Sequence, residues 1–337
     1  MQSHSPHTPL VSALICNFNY GSFLEDAIQS ALHQTYDRLE VVVVDDGSSD
    51  HSWEVLQRQP ASVRRLRTPR QGQLAAFCAA IQVARGDIVC LLDSDDAWLP
   101  SKVEEVVQVF NNQPETQWVR HHLIMADVML KPMVRVPPGF SATGPSPRSP
   151  YRYLEKTLTL STTGLSIRRP LASFAMQRLD LHLRKRAADR PFGGIRYHAD
   201  ACLLAILGPL QIPGFLLDRD LALYRRHPSR PTDRPSDLAS LLKQEIAVGR
   251  LISHIWSQES GHTLTATHIY KHILVLDAMS PRGAWTFRRA RIFFAGLRAA
   301  NRLLPFDLRL AARQTLALGY AFFAPRRWLN RFARRVL

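Results

Sequence analysis

The sequence predicts an α/β protein with a doubly wound, mostly parallel sheet, followed by a helical, basic C-terminal extension. Three observations predict it. Short apolar runs alternate with stretches whose apolar residues recur every three or four positions, the pattern of strands alternating with helices. Three of those runs, ending at Cys16, Val44 and Leu92, pass directly into polar or acidic turns. The basic charge gathers beyond residue 281, where thirteen arginines face one acid, Asp307, which leaves residues 1–281 only three of the fifteen net positive charges.

Residues 10–16 (LVSALIC) form the first strand and run into Asn17, Phe18, Asn19, Tyr20 and Gly21, which are turn formers. Ser22 and Glu25 have the spacing of a capping box, and Leu24, Ile28, Ala31 and Leu32 then share a helical face. Residues 39–44 are a second buried strand, ending in Asp45, Asp46 and Gly47. A short helix around 53–58 and a short strand at 64–67 follow. Gly72 begins a helix with Leu74, Phe77, Cys78 and Ile81 at i, i+3, i+4 and i+7. Val103, Val106, Val107 and Phe110 repeat that spacing. Residues 118–125 read as a strand, 132–150 as a Pro/Gly/Ser-rich loop, and 161–165 as a small-residue turn. Asp200 opens an apolar helix at 201–207, and strands are expected at 215–217 and 221–224.

The stretch from Ile88 to Asp96, IVCLLDSDD, organises the rest. A five-residue apolar run with β-branched members is a strand buried on both faces. Three carboxylates at its end cannot be buried unpaired without a large desolvation cost, so the strand must deliver them to solvent or to a cation. Hard oxygens suit Mg²⁺ or Mn²⁺ where substrate phosphates complete the shell. In parallel sheets ligands bind beyond the carboxyl ends of the strands. Asn17/Asn19, Asp45/Asp46 and Asp93/Asp95 all fall there, which solvated loops alone would not require.

A chain of 337 residues accommodates one large domain and a smaller one. The segment nearest to a membrane span, 201–217, is interrupted by Gly208, Pro209, Gln211, Pro213 and Gly214, so no transmembrane helix is expected. No signal-peptide pattern is seen at the N-terminus. The four cysteines have no metal-like spacing and suit a reducing compartment. The expected organisation is a disordered N-terminus at 1–8, a catalytic domain at 9–228, a Pro-rich linker at 229–236, a helical segment at 237–281, and a basic amphipathic tail at 282–337.

Four motifs give the chain a resemblance to the family 2 glycosyltransferases, over about residues 9–228. Asn17-Phe18-Asn19-Tyr20 is similar to the family's first-strand turn. Asp45-Asp46-Gly47-Ser48-Ser49-Asp50 is similar to its nucleotide-binding turn. Asp93-Ser94-Asp95 resembles its metal-binding DxD. Tyr224-Arg225-Arg226-His227 resembles the motif closing its catalytic domain. The resemblance implies the Rossmann-like GT-A fold and inverting transfer of a sugar from a nucleotide diphosphate, usually uridine, with Mn²⁺ or Mg²⁺. It implies that Asp46 binds the base, that Asp93 contacts the ribose or the metal shell, and that Asp95 and His227 hold the metal. It also implies that Asn17, Asn19, Asp45, Gly72 and Gly164 line the nucleotide sugar, and Asp200 falls where the family places its base.

Each residue has a plainer reading. Asp200 also suits a helix cap, and the family's Glu-Asp is here Ala199-Asp200. His227 also suits an exposed loop, Asp45 a turn brace, and Asn17 and Asn19 turn geometry. Arg70 is the candidate for a positive charge that Phe77 and Cys78 do not supply. His121 and His122 are neighbours on a strand and cannot chelate together. A non-catalytic scaffold of the same fold is the rival of another class. A nucleotidyltransferase would need a glycine-rich loop that residues 17–21 lack. The arginine-rich tail, with Trp328, Phe332 and Val336 on one face, suits an anionic membrane surface. The expected setting is the cytoplasm, at the inner face of the cytoplasmic membrane, with a saccharide or lipid-linked acceptor in surface polysaccharide or glycoconjugate assembly. No nucleic-acid module accompanies the charge, so no nucleic-acid partner is expected.

Overall fold

The computed structural model describes residues 8–135, 143–146, 161–184, 199–230, 248, 251–252 and 254–259. The chain divides into two compact units, residues 1–227 and 228–337.

In the first unit the strand–helix alternation appears as β1 (Val11–Asn17), α1 (Gly21–Leu32), β2 (Leu39–Asp45), α2 (Ser52–Gln57), β3 (Val63–Arg67), α3 (Gln73–Val83) and β4 (Ile88–Asp93). Then come β5 (Ala97–Trp98), α4 (Lys102–Asn112), β6 (Trp118–Ala126), β7 (Pro132–Arg135) and β8 (Gly144–Pro145). A 3-10 turn at Thr162–Gly164 leads into β9 (Leu165–Arg168), α5 (Arg169–Arg184), α6 (Ala199–Leu207) and β10 (Gly214–Arg225).

These strands form one mixed sheet in the order β3-β2-β1-β4-β9-β6-β10-β5. β1, β2, β3 and β4 are parallel neighbours, and β6 and β10 are parallel to each other. β9 is antiparallel to both β4 and β6, so the two parallel sets point the same way. The carboxyl ends of β1, β2, β4, β6 and β10 therefore share one edge, and β9 enters the sheet from that edge. Alternate residues of the central strands feed opposite layers. Val11, Ala13, Ile15, Val43, Cys90 and Leu92 join Leu24 and Ile28 of α1 and Val103 and Phe110 of α4 in one core. α3 lies on the other face with α5 and α6.

Four expectations are corrected. The capping box does not form, because α1 starts one residue earlier at Gly21, whose N–H donates to the Asp50 carboxylate at 2.9 Å; Glu25 binds Gln29 and Gln59 instead. The 132–150 segment contains the short strands β7 and β8, which pair with β6 and β10 and bury little. β9 and α5 lie where no element was expected, since a four-residue strand and a mostly polar helix give weak periodicity. The two strands expected at 215–217 and 221–224 are one strand, β10, interrupted by register shifts. Thr8 accepts a hydrogen bond through its carbonyl from Arg38.

In the second unit residues 254–259 are helical, and Val248, Leu251, Ile252, Ile255 and Trp256 are buried at helical spacing. Residues 231–236 of the proline-rich linker, most of the helical segment at 237–281 and the arginine-rich tail lie outside the described residues.

Candidate active site

Three loops meet at the shared edge. After β1, the Asn17 amide donates to Asp45 at 3.0 Å and to the Ser48 hydroxyl at 3.2 Å, while its carbonyl oxygen is buried without a partner among the described residues. Asn19 takes a left-handed conformation, φ 57°, and its side-chain oxygen accepts from the Ser49 N–H at 2.8 Å. After β2, Asp45 is fully buried, accepts from Asn17 and Ser48, and pairs with Arg67 at 3.4 Å. Its carboxylate braces the turn. Asp46 accepts from the N–H groups of Gln71 and Gly72 at 2.8 and 2.7 Å. Those bonds tie the second turn to the start of α3, where Gly72 takes φ 99°, a conformation suited to glycine. The Arg70 guanidinium lies 4.2 Å from the centre of the Phe18 ring.

The third loop carries the acids. One oxygen from each of Asp93, Asp95 and Asp96 lies within 4.8 Å of the others. Asp95 and Asp96 are buried. Asp93 accepts from the Gln73 amide at 2.7 Å and the Ser161 hydroxyl at 3.2 Å. His227 Nε2 is 3.1 Å from Asp95 Oδ2, which joins the end of β10 to the end of β4. Asp96, which the sequence presented only as a third acid, accepts from the Thr163 hydroxyl at 2.7 Å and the Arg225 N–H at 3.1 Å. Three converging hard carboxylates in a shielded place fit a hard divalent cation, whose charge offsets their mutual repulsion. Asp93 and Asp95, with His227 behind them, would hold it. The Cys16 thiol is pushed well above its ordinary range by burial, reinforced by Asp93 and Asp46, so it stays neutral here.

Asp200 sits in the first turn of α6. Its carboxylate is 3.3 Å from the guanidinium of Arg120, which is fully buried on β6. The same guanidinium donates to the Ser161 carbonyl at 3.0 Å. The Gln73 amide oxygen accepts from the Ala199 N–H at 3.4 Å while its nitrogen serves Asp93. Gln73 and the Ser161–Arg120 pair thus form two bridges from Asp93 to the turn carrying Asp200. Gly164 is explained by packing, since a Cβ there would lie 2.8 Å from the His121 carbonyl. His121 and His122 are both buried; His121 Nδ1 lies 2.8 Å from the His122 carbonyl, and His122 Nε2 lies 3.4 Å from the Asp218 carboxylate. Arg120, Gln73, Ser161, Thr163 and Arg225 were not singled out from the sequence as site residues. Only Arg120, a charged residue inside an apolar strand, carried a signal that could have found it.

Residues 12–168 match the Glycosyl transferase family 2 profile. They are a family 2 glycosyltransferase domain. The domain is 39% identical over 121 residues to an uncharacterized glycosyltransferase of Nostoc sp., covering 35% of this chain and 37% of that protein. The chain therefore spans little more than a third of that relative's length. Among solved structures, S. aureus TarS 1–349 in complex with UDP superposes with a TM-score of 0.51 at 14% identity, covering 97% of this chain and 92% of that one. The mannosyltransferase PcManGT of Pyrobaculum calidifontis, with GDP-Man and Mn²⁺, gives 0.50 at 15% identity, covering 99% and 87%. At such identities the superpositions establish the fold, and the glycosyltransferase domain has the GT-A architecture.

Proposed function

We propose that the protein is an inverting, metal-dependent transferase that moves a sugar from a nucleotide diphosphate, UDP-linked, to a saccharide or lipid-linked acceptor. The observation that carries this is the convergence of Asp93, Asp95, Asp96 and His227 at the sheet edge, with Asp200 tied to Asp93 through Arg120 and Ser161. UDP in the TarS structure and GDP-Man with Mn²⁺ in PcManGT support a nucleotide-sugar donor and a divalent cation.

Asp46 and the β1 turn hold the nucleoside. Asp93 orients the ribose or the metal shell. Asp95 and His227 hold Mn²⁺ or Mg²⁺, which when bound stabilises the negative charge gathering on the departing diphosphate. Asp200 takes the proton of the acceptor hydroxyl as its oxygen bonds the anomeric carbon. The bond from that carbon to the diphosphate breaks on the opposite face, and the nucleoside diphosphate leaves with the electron pair. Attack opposite the leaving group inverts the centre. Gln73, Ser161 and Arg120 keep the two halves in register.

Among the described residues no helix is long and apolar enough to cross a membrane. The arginine-rich tail supports placement on an anionic membrane surface, which suits a lipid-linked acceptor of surface polysaccharide assembly. The non-catalytic reading has one observation in its favour, the engagement of Asp200 by Arg120 beside Ala199. Calorimetric titration of UDP with and without Mn²⁺, beside Asp95→Ala, tests the donor site. Metal-dependent binding that the variant loses supports it. Failure of a folded wild type to bind any nucleoside diphosphate rejects it in favour of the scaffold.

A further inference from the structure

We propose that Arg225 is the positioning residue for the metal-binding loop, anchored for that task by Asp26 of α1. The proposal rests on the donor–metal reading above and extends it to two residues outside the cluster.

Arg225 is the last residue of β10, two positions before His227, and its side chain is nearly fully buried. Its Nε donates to the Asp95 carbonyl at 2.9 Å, and its backbone N–H to the Asp96 carboxylate at 3.1 Å. The Asp95–Asp96 step is thereby pinned through both main chain and side chain. The guanidinium also donates to the Val128 carbonyl beyond β6 and to Asp26 at 2.7 Å. One planar fork thus ties α1, the acidic loop and the segment after β6 together, in directions that a single ammonium could not satisfy.

The arrangement has a chemical sense. A buried cation beside a metal site competes for the carboxylates unless it is engaged elsewhere. Here Asp26, half exposed on α1, supplies the balancing charge, and the Nε–H is spent on a peptide oxygen. The Asp95 carboxylate is left facing His227. Phe23 closes the unit, with the Arg225 guanidinium 4.8 Å from its centre and the His227 ring at 4.3 Å on the same side chain. Arg225 therefore sets both the loop bearing Asp95 and the packing of His227.

The test is Mn²⁺ titrated into the full-length protein, alone and with UDP, read by Mn²⁺ electron paramagnetic resonance. UDP affinity without metal is the internal control. Arg225→Met should weaken Mn²⁺ at least about tenfold, the scale set by residues that orient metal ligands, with metal-free UDP affinity unchanged. Arg225→Lys should fall between the two, and Asp26→Asn should weaken Mn²⁺ roughly threefold by loosening the fork. A folded Arg225→Met with wild-type Mn²⁺ affinity overturns the proposal, even if its melting temperature drops, because that is the signature of structure alone. Should Arg225→Met fail to fold, Asp26→Asn decides, and unchanged Mn²⁺ affinity there overturns it as well. A wild type that binds UDP but no Mn²⁺ rejects both the metal and its positioning residue; one that binds neither rejects the donor site itself.

Discussion

Arg120 and Asp200 meet at 3.3 Å where neither side chain is appreciably exposed, so the carboxylate proposed as base is held by a buried guanidinium. The pair does two things at once. It keeps a cation tolerable inside β6, and it restricts the carboxylate to one orientation at the start of α6.

Removing one partner should therefore cost more than the pair contributes. Asp200→Ala takes away the carboxylate that Arg120 faces and should destabilise the fold by about 3–5 kcal/mol in urea unfolding. Asp200→Asn retains a hydrogen-bond acceptor. It should keep UDP binding within about twofold and abolish transfer, because an amide takes no proton. Full turnover by Asp200→Asn would remove Asp200 from the mechanism.

His121 makes stability depend on acid. Burial, reinforced by the charge of Lys102, pushes its pKa down from 6.5 to about 3. Between those values the unfolded chain binds a proton that the folded chain refuses. This contribution is thus fully present above about pH 6.5 and is lost as pH falls toward 3, at up to about 1.4 kcal/mol per pH unit. Comparing wild type with His121→Gln across pH 4–7 isolates it. Parallel stability curves for the two proteins would show that the ring does not titrate this way.

Gly72 holds φ 99° and ψ 162° while its N–H serves Asp46, so Gly72→Ala strains the backbone where the nucleoside is to be held. The strain should amount to about 1–3 kcal/mol, split between a lower melting temperature and weaker UDP binding. Calorimetry beside thermal unfolding reads both, and an alanine variant matching wild type in the two would show that the turn relaxes freely.

How far the sequence reaches can be followed in the acidic loop. Ile88 to Leu92 are apolar because both faces of β4 are covered, and Asp93, Asp95 and Asp96 follow at its carboxyl end; a local pattern was enough to place them there. Asp45 and Asp46 were legible as a pair, but their division of labour was not. Which carboxylate turns inward to Asn17, and which outward to Gln71 and Gly72, depends on residues twenty or more positions away. Arg120, Gln73 and Arg225 escaped for the same reason. Each acts on a residue from about 20 to 130 positions distant, contacts that exist only once the chain has folded. β9 itself was missed because four residues give too little alternation to mark a strand.

Gln73 offers the sharpest separation of binding from turnover. Its amide nitrogen donates to Asp93 at 2.7 Å, and its oxygen accepts from the Ala199 N–H at 3.4 Å. An amide suits the position because it is neutral and presents a donor to one side and an acceptor to the other. Gln73→Leu removes both bonds at similar volume. Losing the bond to a charged acceptor should weaken UDP–Mn²⁺ about five- to tenfold, since such bonds contribute roughly 1.5–3 kcal/mol and water recovers part of that at a half-exposed side chain. Transfer should fall further than binding, because the turn carrying Asp200 loses its tie to the donor side. Calorimetry with Mn²⁺ and UDP, set beside single-turnover transfer once a donor is in hand, reads the two effects separately. Equal losses in both would confine Gln73 to the donor side, and no loss in either would show that the bridge to Ala199 carries nothing.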